Sequence, residues 1–130
     1  AEAGFRIVVV GGREDREEGD IISGAWGLNL AGMTTLAETA AIIAGSRLLI
    51  SGDSGVLHLA VGLDVPTVSL FGPGIAAKWA PRGDKHIVLN QNISCSPCTR
   101  FGTTPPCPVG VRCMKEITAD QVMAAAVHVL

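Results

Sequence analysis

At 130 residues, 48% of them hydrophobic, with a net charge of −2, the chain suits one domain that buries roughly two-thirds of its unfolded surface, and it is too apolar for a disordered segment. Ten Lys and Arg residues are scattered among twelve acids, so no focused basic patch exists and nucleic acid is excluded as a partner. The apolar runs reach about half the length of a membrane-spanning helix and no signal-peptide pattern opens the chain, which predicts a cytoplasmic protein.

Ala1-Glu2-Ala3-Gly4 reads as a linker running straight into Phe5–Val10, a β-branched, almost wholly apolar stretch expected of a parallel strand covered on both faces. It exits at Gly11-Gly12. The acidic run Glu14–Asp20 predicts a helix whose first turn gains from negative charge and which buries Ile21, Ile22 and Ala25, its five carboxylates forming a solvated face. Leu28–Gly32 reads as a second short strand ending in a loop. Thr35 and Glu38 form a capping box, joined by Thr34, ahead of a helix with Leu36, Ala40 and Ile43 as its buried stripe and Gly45 as its stop.

Leu48–Ile50 is short enough for a buried strand, and Val56–Val61 suits a short buried helix. Between them lies the polar, glycine-rich turn Ser51–Gly55. A strand feeding a tight turn into a helix start leaves backbone N–H groups unpaired, and the helix dipole there favours an anion. Gly52 and Gly55 permit close backbone approach, and Asp53 is expected to cap the helix. His58 follows Gly55 by three residues, which puts it on the same face and leaning toward the anion site. The competing reading is a capped core helix with His58 as a hydrogen-bonded interior histidine.

Thr67–Phe71, after Pro66, is a further strand, closing on Gly72-Pro73-Gly74. Lys78, Trp79, Pro81 and Arg82 follow on an irregular segment, with Trp79 read as a packed lid and stacking on a base or sugar as the alternative. His86–Leu89 is the fifth strand. Thr118 and Gln121 form a second capping box before a last helix with Val122, Ala125, Ala126 and Val129 as its stripe. Strands alternating with helices predict an α/β fold: a Rossmann-like parallel sheet of about five strands, helices on both faces, in a single domain over 1–130. Four glycine-rich loops fall where ligands bind, at the carboxyl ends of the strands.

Cys95, Cys98, Cys107 and Cys113 lie in a Pro- and Gly-rich loop over 95–113 with the spacing C-x2-C-x8-C-x5-C. The first pair suits zinc or an iron–sulfur cluster, but the second is irregular for a knuckle, so clustered thiols or a disulfide rank above a bound metal.

Asp53-Ser54-Gly55 with His58-Leu59-Ala60, then Gly62, Pro66, Leu70-Phe71-Gly72-Pro73 and Trp79-Ala80-Pro81, resemble the signature of the ADP-heptose:lipopolysaccharide heptosyltransferase family. Gly11-Gly12, Asn29-Leu30-Ala31-Gly32, Cys95-Ser96-Pro97-Cys98 and Cys113-Met114 extend the resemblance over nearly all of the chain from Phe5 onward. It implies one half of a two-domain glycosyltransferase B enzyme, the C-terminal half that binds the nucleotide sugar. Asp53, Ser54, Gly55 and His58 would then hold the diphosphate. Asp15, soon after Gly11 and Gly12, would accept hydrogen bonds from ribose hydroxyls, while Met33, Thr34 and Thr35 would flank the base and ribose.

The resemblance further implies no cofactor and no metal at the cysteines. The implied partners are ADP-heptose, a lipopolysaccharide precursor at the cytoplasmic face of the inner membrane, and an acceptor-binding N-terminal domain that this chain lacks and that carries the general base. The chain alone would bind without turnover. The alternatives are a non-catalytic nucleotide-binding or thiol/metal module, and half of a nucleotide-sugar epimerase, which fits the Asp-Ser-Gly-x-x-His and Phe-Gly-Pro elements less well.

Overall fold

The computed structural model describes residues 4–130, so Ala1, Glu2 and Ala3 of the expected linker lie outside the described residues. The chain divides into two compact units, one running to Ile42 and the other covering Ile43–Leu130.

The first unit holds β1 (Val8–Val9), a 3₁₀ turn over Arg13–Asp15, α1 (Arg16–Ser23), β2 (Leu28–Asn29) and most of α2 (Leu36–Ala44). β1 and β2 run parallel, Val8 opposite Leu28 and Val9 opposite Asn29. This strand is shorter than the one expected over Phe5–Val10. Backbone bonds nonetheless run on along it, the N–H groups of Leu28, Leu30 and Gly32 donating to the Ile7, Val9 and Gly11 carbonyls at 2.9, 2.9 and 2.8 Å. The acidic helix forms and its carboxylates are exposed, but Ile21 and Ile22 are 81% and 61% exposed and Ala25 lies in the turn beyond it. The side turned inward is Gly19 and Ser23. Asn29 explains the exchange: its amide donates to the Arg16 carbonyl at 3.0 Å and the Asp20 carboxylate at 2.6 Å, and a Cβ on Gly19 would lie 2.6 Å from its oxygen. A polar hub that close admits only small residues, so α1 docks through hydrogen bonds and not through an apolar stripe.

The second unit comprises β3 (Leu49–Gly52), α3 (Gly55–Gly62), β4 (Thr67–Phe71), α4 (Ala76–Trp79), β5 (His86–Asn90), α5 (Arg112–Lys115) and α6 (Ala119–Val129). Its sheet has the order β3-β4-β5, all parallel. Thr67, Val68, Ser69 and Phe71 are fully buried, and since successive strand residues point to opposite faces, β4 is covered on both. The two buried hydroxyls are satisfied, Thr67 Oγ1 by His86 Nδ1 at 2.9 Å and Ser69 Oγ by donating to the Ile87 carbonyl at 3.4 Å. Leu57 and Ala60 of α3 and Ala125 and Ala126 of α6 are buried, and Ile43, Ala60 and Val65 form one core cluster. On α2 only the Ile43 end of the expected stripe is deeply buried, Leu36 at the first turn being 75% exposed.

The protein is therefore α/β with parallel pairing throughout, two strands in the first unit and three in the second. As an edge strand of the triplet, β3 leaves Ile50 48% exposed where a buried strand was expected. Register then positions the site. Gly52 lies opposite Leu70, and Phe71 opposite Asn90, so the chain leaves β3, β4 and β5 at one carboxyl edge. Among the described residues no helix is long and apolar enough to cross a membrane.

Candidate functional site

Ser54, not Asp53, is the N-cap of α3, and neither side chain caps it. Asp53 was expected to cap. Instead the Ser54 hydroxyl faces Ser51 Oγ at 3.0 Å, and the Asp53 carboxylate leans against the next loop, occupying the place that a Cβ on Gly74 would take. A side chain at Gly74 would have to push that carboxylate aside. The Leu57 N–H donates to the Ser54 carbonyl at 3.2 Å, and the Gly55 and Val56 amides, which have no intrahelical partner, are left without a side-chain acceptor. A Cβ on Gly55 would meet nothing within 4 Å, so the helix start is open on that side.

His58 is exposed and makes no hydrogen bond among the described residues, which removes the interior-histidine reading. Its ring meets Trp79 edge-on, with centroids 6.0 Å apart at 63°. Trp79 is 47% exposed and so does not pack as the expected lid, and Lys78 Nζ stands 5.0 Å from the centre of its ring. Beside this pair opens a groove of about 360 Å³, bordered by Asp53, Lys78, Trp79, Arg100 and Phe101. Arg100 and Phe101 were absent from the sequence reading. A cation and an aromatic immediately ahead of a glycine in a loop are the signal that points to them.

In the first unit, Asp15 closes a local turn: its Oδ2 accepts from the Gly12 N–H at 2.9 Å and would collide with any Cβ on Gly11. Gly32 at φ +72° donates its N–H to the Gly11 carbonyl at 2.8 Å, which sets the two glycine loops side by side. Thr35 and Glu38 make the expected capping box, the Thr35 N–H donating to Glu38 Oε1 at 2.9 Å and the Glu38 N–H to Thr35 Oγ1 at 3.1 Å. Thr34 Oγ1 pairs with Thr39 Oγ1 at 2.8 Å. Both threonine hydroxyls are therefore engaged within the fold, whereas Met33 is 60% exposed.

The cysteine loop is anchored to the turn after β4. The N–H groups of Cys98 and Thr99 donate to the Pro73 carbonyl at 3.1 and 2.9 Å, Ser96 Oγ donates to the Gly72 carbonyl, and Cys113 packs where a Gly72 side chain would go. Amides of Val109 and Val111 donate to Cys107 and hold its thiol below the ordinary range, while burial, helped by the charges of Cys107, Cys95 and Cys98, pushes Cys113 up. All four are free thiols, and among the described residues no group of three or more His, Cys, Asp or Glu is arranged to hold a metal ion.

A family model described as glycosyltransferase family 9 (heptosyltransferase) matches residues 1–107. The chain is 38% identical over 93 residues to lipopolysaccharide heptosyltransferase 2 of Salmonella typhimurium, covering 66% of this chain and 27% of that protein. With the Escherichia coli protein of the same name it shares 35% identity over 95 residues, 68% of this chain and 27% of the other. The solved structure of Escherichia coli ADP-heptose lipopolysaccharide heptosyltransferase II superposes with a TM-score of 0.78 at 26% identity, over 98% of this chain and 37% of that one. The chain thus spans about a quarter of the length of the curated relatives it matches.

Proposed function

The chain belongs to glycosyltransferase family 9, and we propose that it is the donor-binding half of an enzyme that transfers heptose from a nucleotide diphosphate sugar, ADP-heptose, to the lipopolysaccharide inner core. The observation that carries this reading is the uncapped head of α3, open at Gly55 and with an exposed His58 one turn on. Donors aimed at a diphosphate offset the charge that builds on it as the glycosidic bond breaks, and being fixed in place they need no reorganisation at that moment. The Gly55 and Val56 amides supply fixed dipoles, and His58 supplies a side-chain donor on the same helix face. Asp53, repelled by phosphate, serves instead as an acceptor for sugar hydroxyls.

In the first unit, the Asp15 oxygen not bonded to Gly12 is suited to ribose hydroxyls and exposed Met33 to packing on a base. With the hydroxyls of Thr34 and Thr35 engaged in the fold, backbone groups are what those residues, like Gly12, offer to a nucleotide. The general base that deprotonates the acceptor hydroxyl belongs to an acceptor-binding domain outside this chain, which by itself binds donor without turning it over. The enzyme works in the cytoplasm, at the inner-membrane face where its lipid-linked acceptor lies.

NMR titration with ADP tests this. Amides within Gly52–His58 should shift with an affinity in the high micromolar to millimolar range, about what a few charge-assisted hydrogen bonds leave after the cost of association. No shift in that segment would sink the proposal.

A further inference from the structure

Of the four free thiols, Cys107 is exposed and Cys113 buried, and the chain between them folds back on itself. The Val111 N–H donates to Cys107 Sγ at 3.2 Å. Val111 is the N-cap of α5, in which Cys113 is the second residue, so the Cys107 sulfur lies against the head of the helix that carries Cys113. After burial, the charge of Cys107 bears more strongly on Cys113 than those of Cys95 and Cys98 do, which ranks it first among the three as a partner.

The backbone between the two is strained. Gly110 and Val111 have φ of +65° and +59°, a conformation that glycine takes freely but that is an outlier for a β-branched residue. Val111 is 40% exposed, so burial does not compensate it. The contact that holds it includes the bond from its N–H to the Cys107 sulfur. Strain kept in place by a reactive atom is released when that atom reacts.

The two thiols also differ as an attacking and a resolving cysteine must. Amides of Val109 and Val111, and the charge of Lys115, favour the thiolate of exposed Cys107. Cys113 is 7% exposed, and its sulfur fills the place of a side chain on Gly72 in the turn after β4. Gly74 of that turn stands against the Asp53 carboxylate.

We propose that Cys107 and Cys113 form a reversible dithiol–disulfide switch, closed by a low-molecular-weight disulfide such as glutathione disulfide, and that closing it withdraws Cys113 from the turn at Gly72. The Cys107 thiolate attacks one sulfur of glutathione disulfide, forming a mixed disulfide and releasing a glutathione thiolate that takes a proton from solvent. Cys113 then gives up its proton and attacks the Cys107 sulfur, forming the intrachain bond and expelling the second glutathione, which takes that proton. Two protein thiols are oxidised to one disulfide, and one external disulfide is reduced to two thiols. Burial makes Cys113 the slower nucleophile, so the mixed disulfide on Cys107 comes first. Excess reduced glutathione reverses both steps. Neither step involves a nucleotide, so the switch stands or falls apart from the donor reading.

The test is non-reducing peptide mass spectrometry of the 130-residue chain incubated with glutathione disulfide at neutral pH, with NMR of the same samples. Early samples should carry glutathione on Cys107 and later ones a Cys107–Cys113 cross-link. The Gly72 and Gly74 amides should shift as the cross-link forms and return with dithiothreitol. Cys107→Ser, at an exposed position, should fold like the parent and give neither product. Cys95→Ser combined with Cys98→Ser should keep both. Cys113→Ala should stop at glutathione on Cys107, and where that variant does not fold, the parent and the Cys107→Ser protein decide.

The proposal falls if no cross-link forms, if glutathione settles first on Cys95 or Cys98, or if the cross-link joins any other pair. It falls equally if the cross-linked protein leaves the Gly72 and Gly74 amides where they were.

Discussion

His58→Ala separates a binding role from an architectural one. In the structure the residue is exposed, makes no hydrogen bond among the described residues, and pairs edge-on with Trp79, ring centroids 6.0 Å apart. An edge-to-face aromatic pair contributes about 0.5–1.5 kcal/mol, and an exposed one lies at the low end. Its loss should therefore cost about 1 kcal/mol or less, a shift of a few degrees in Tm for a domain of this size. A buried, hydrogen-bonded histidine would instead cost about 1–3 kcal/mol more through the cavity and the lost bond. ADP affinity should fall about tenfold, equivalent to about 1.4 kcal/mol, if the imidazole donates to the diphosphate. His58→Gln, which keeps a donor, should recover part of that loss. Thermal melts and calorimetric titration with ADP read the two quantities separately. Unchanged ADP affinity in a folded His58→Ala protein would refute the reasoning and leave the backbone turn to carry the diphosphate alone.

Gly72→Ala should destabilise the fold by about 1–3 kcal/mol in urea titration, because the new Cβ would lie 2.7 Å from both Cys113 Sγ and Met114 Sδ in a buried turn. An unchanged midpoint would show that Met114 yields at no cost. At neutral pH iodoacetamide should label Cys107 well ahead of Cys113, since backbone amides favour the Cys107 thiolate while burial disfavours that of Cys113. Equal rates in peptide mass spectrometry would contradict this. The Thr35 amide, and then its hydroxyl, hold the Glu38 carboxyl below its ordinary 4.5. A depressed folded-state value means that this contribution is whole above about pH 4.5 and fades as pH falls through the lower folded value. Glu38→Gln should accordingly flatten the decline of Tm in that acid window, and a decline identical to the parent's would show that the box contributes nothing there.

Features set by neighbours a few residues away were legible in the sequence. The Thr118–Gln121 box forms as read, with the Thr118 N–H on Gln121 Oε1 at 2.8 Å and the Gln121 N–H on Thr118 Oγ1 at 3.2 Å, and so does Thr35 with Glu38. β4 occupies Thr67–Phe71 as expected, because β-branched residues between Pro66 and Gly72 leave few alternatives to a buried parallel strand. The glycine turn before α3 is also present, its strand and helix lying within two residues of where composition put them.

Tertiary contacts decided the rest. The acidic helix carries the isoleucines its pattern promised to a core, but Asn29, nine residues beyond Asp20, meets its other side and leaves them in solvent. Asp53 is a good capping residue by type, yet its carboxylate lies against Gly74, a neighbour that no local rule anticipates. Whether His58 was core or surface could not follow from the apolar run around it, because that depends on which face of α3 meets β3 and β4. The groove is the extreme case, since it joins Asp53 after β3, Trp79 at the end of α4 and Arg100 of the cysteine loop. Capping and periodicity act within a turn or two of backbone and are written in adjacent residues, whereas a groove is written in the packing that brings distant loops to one edge of a sheet.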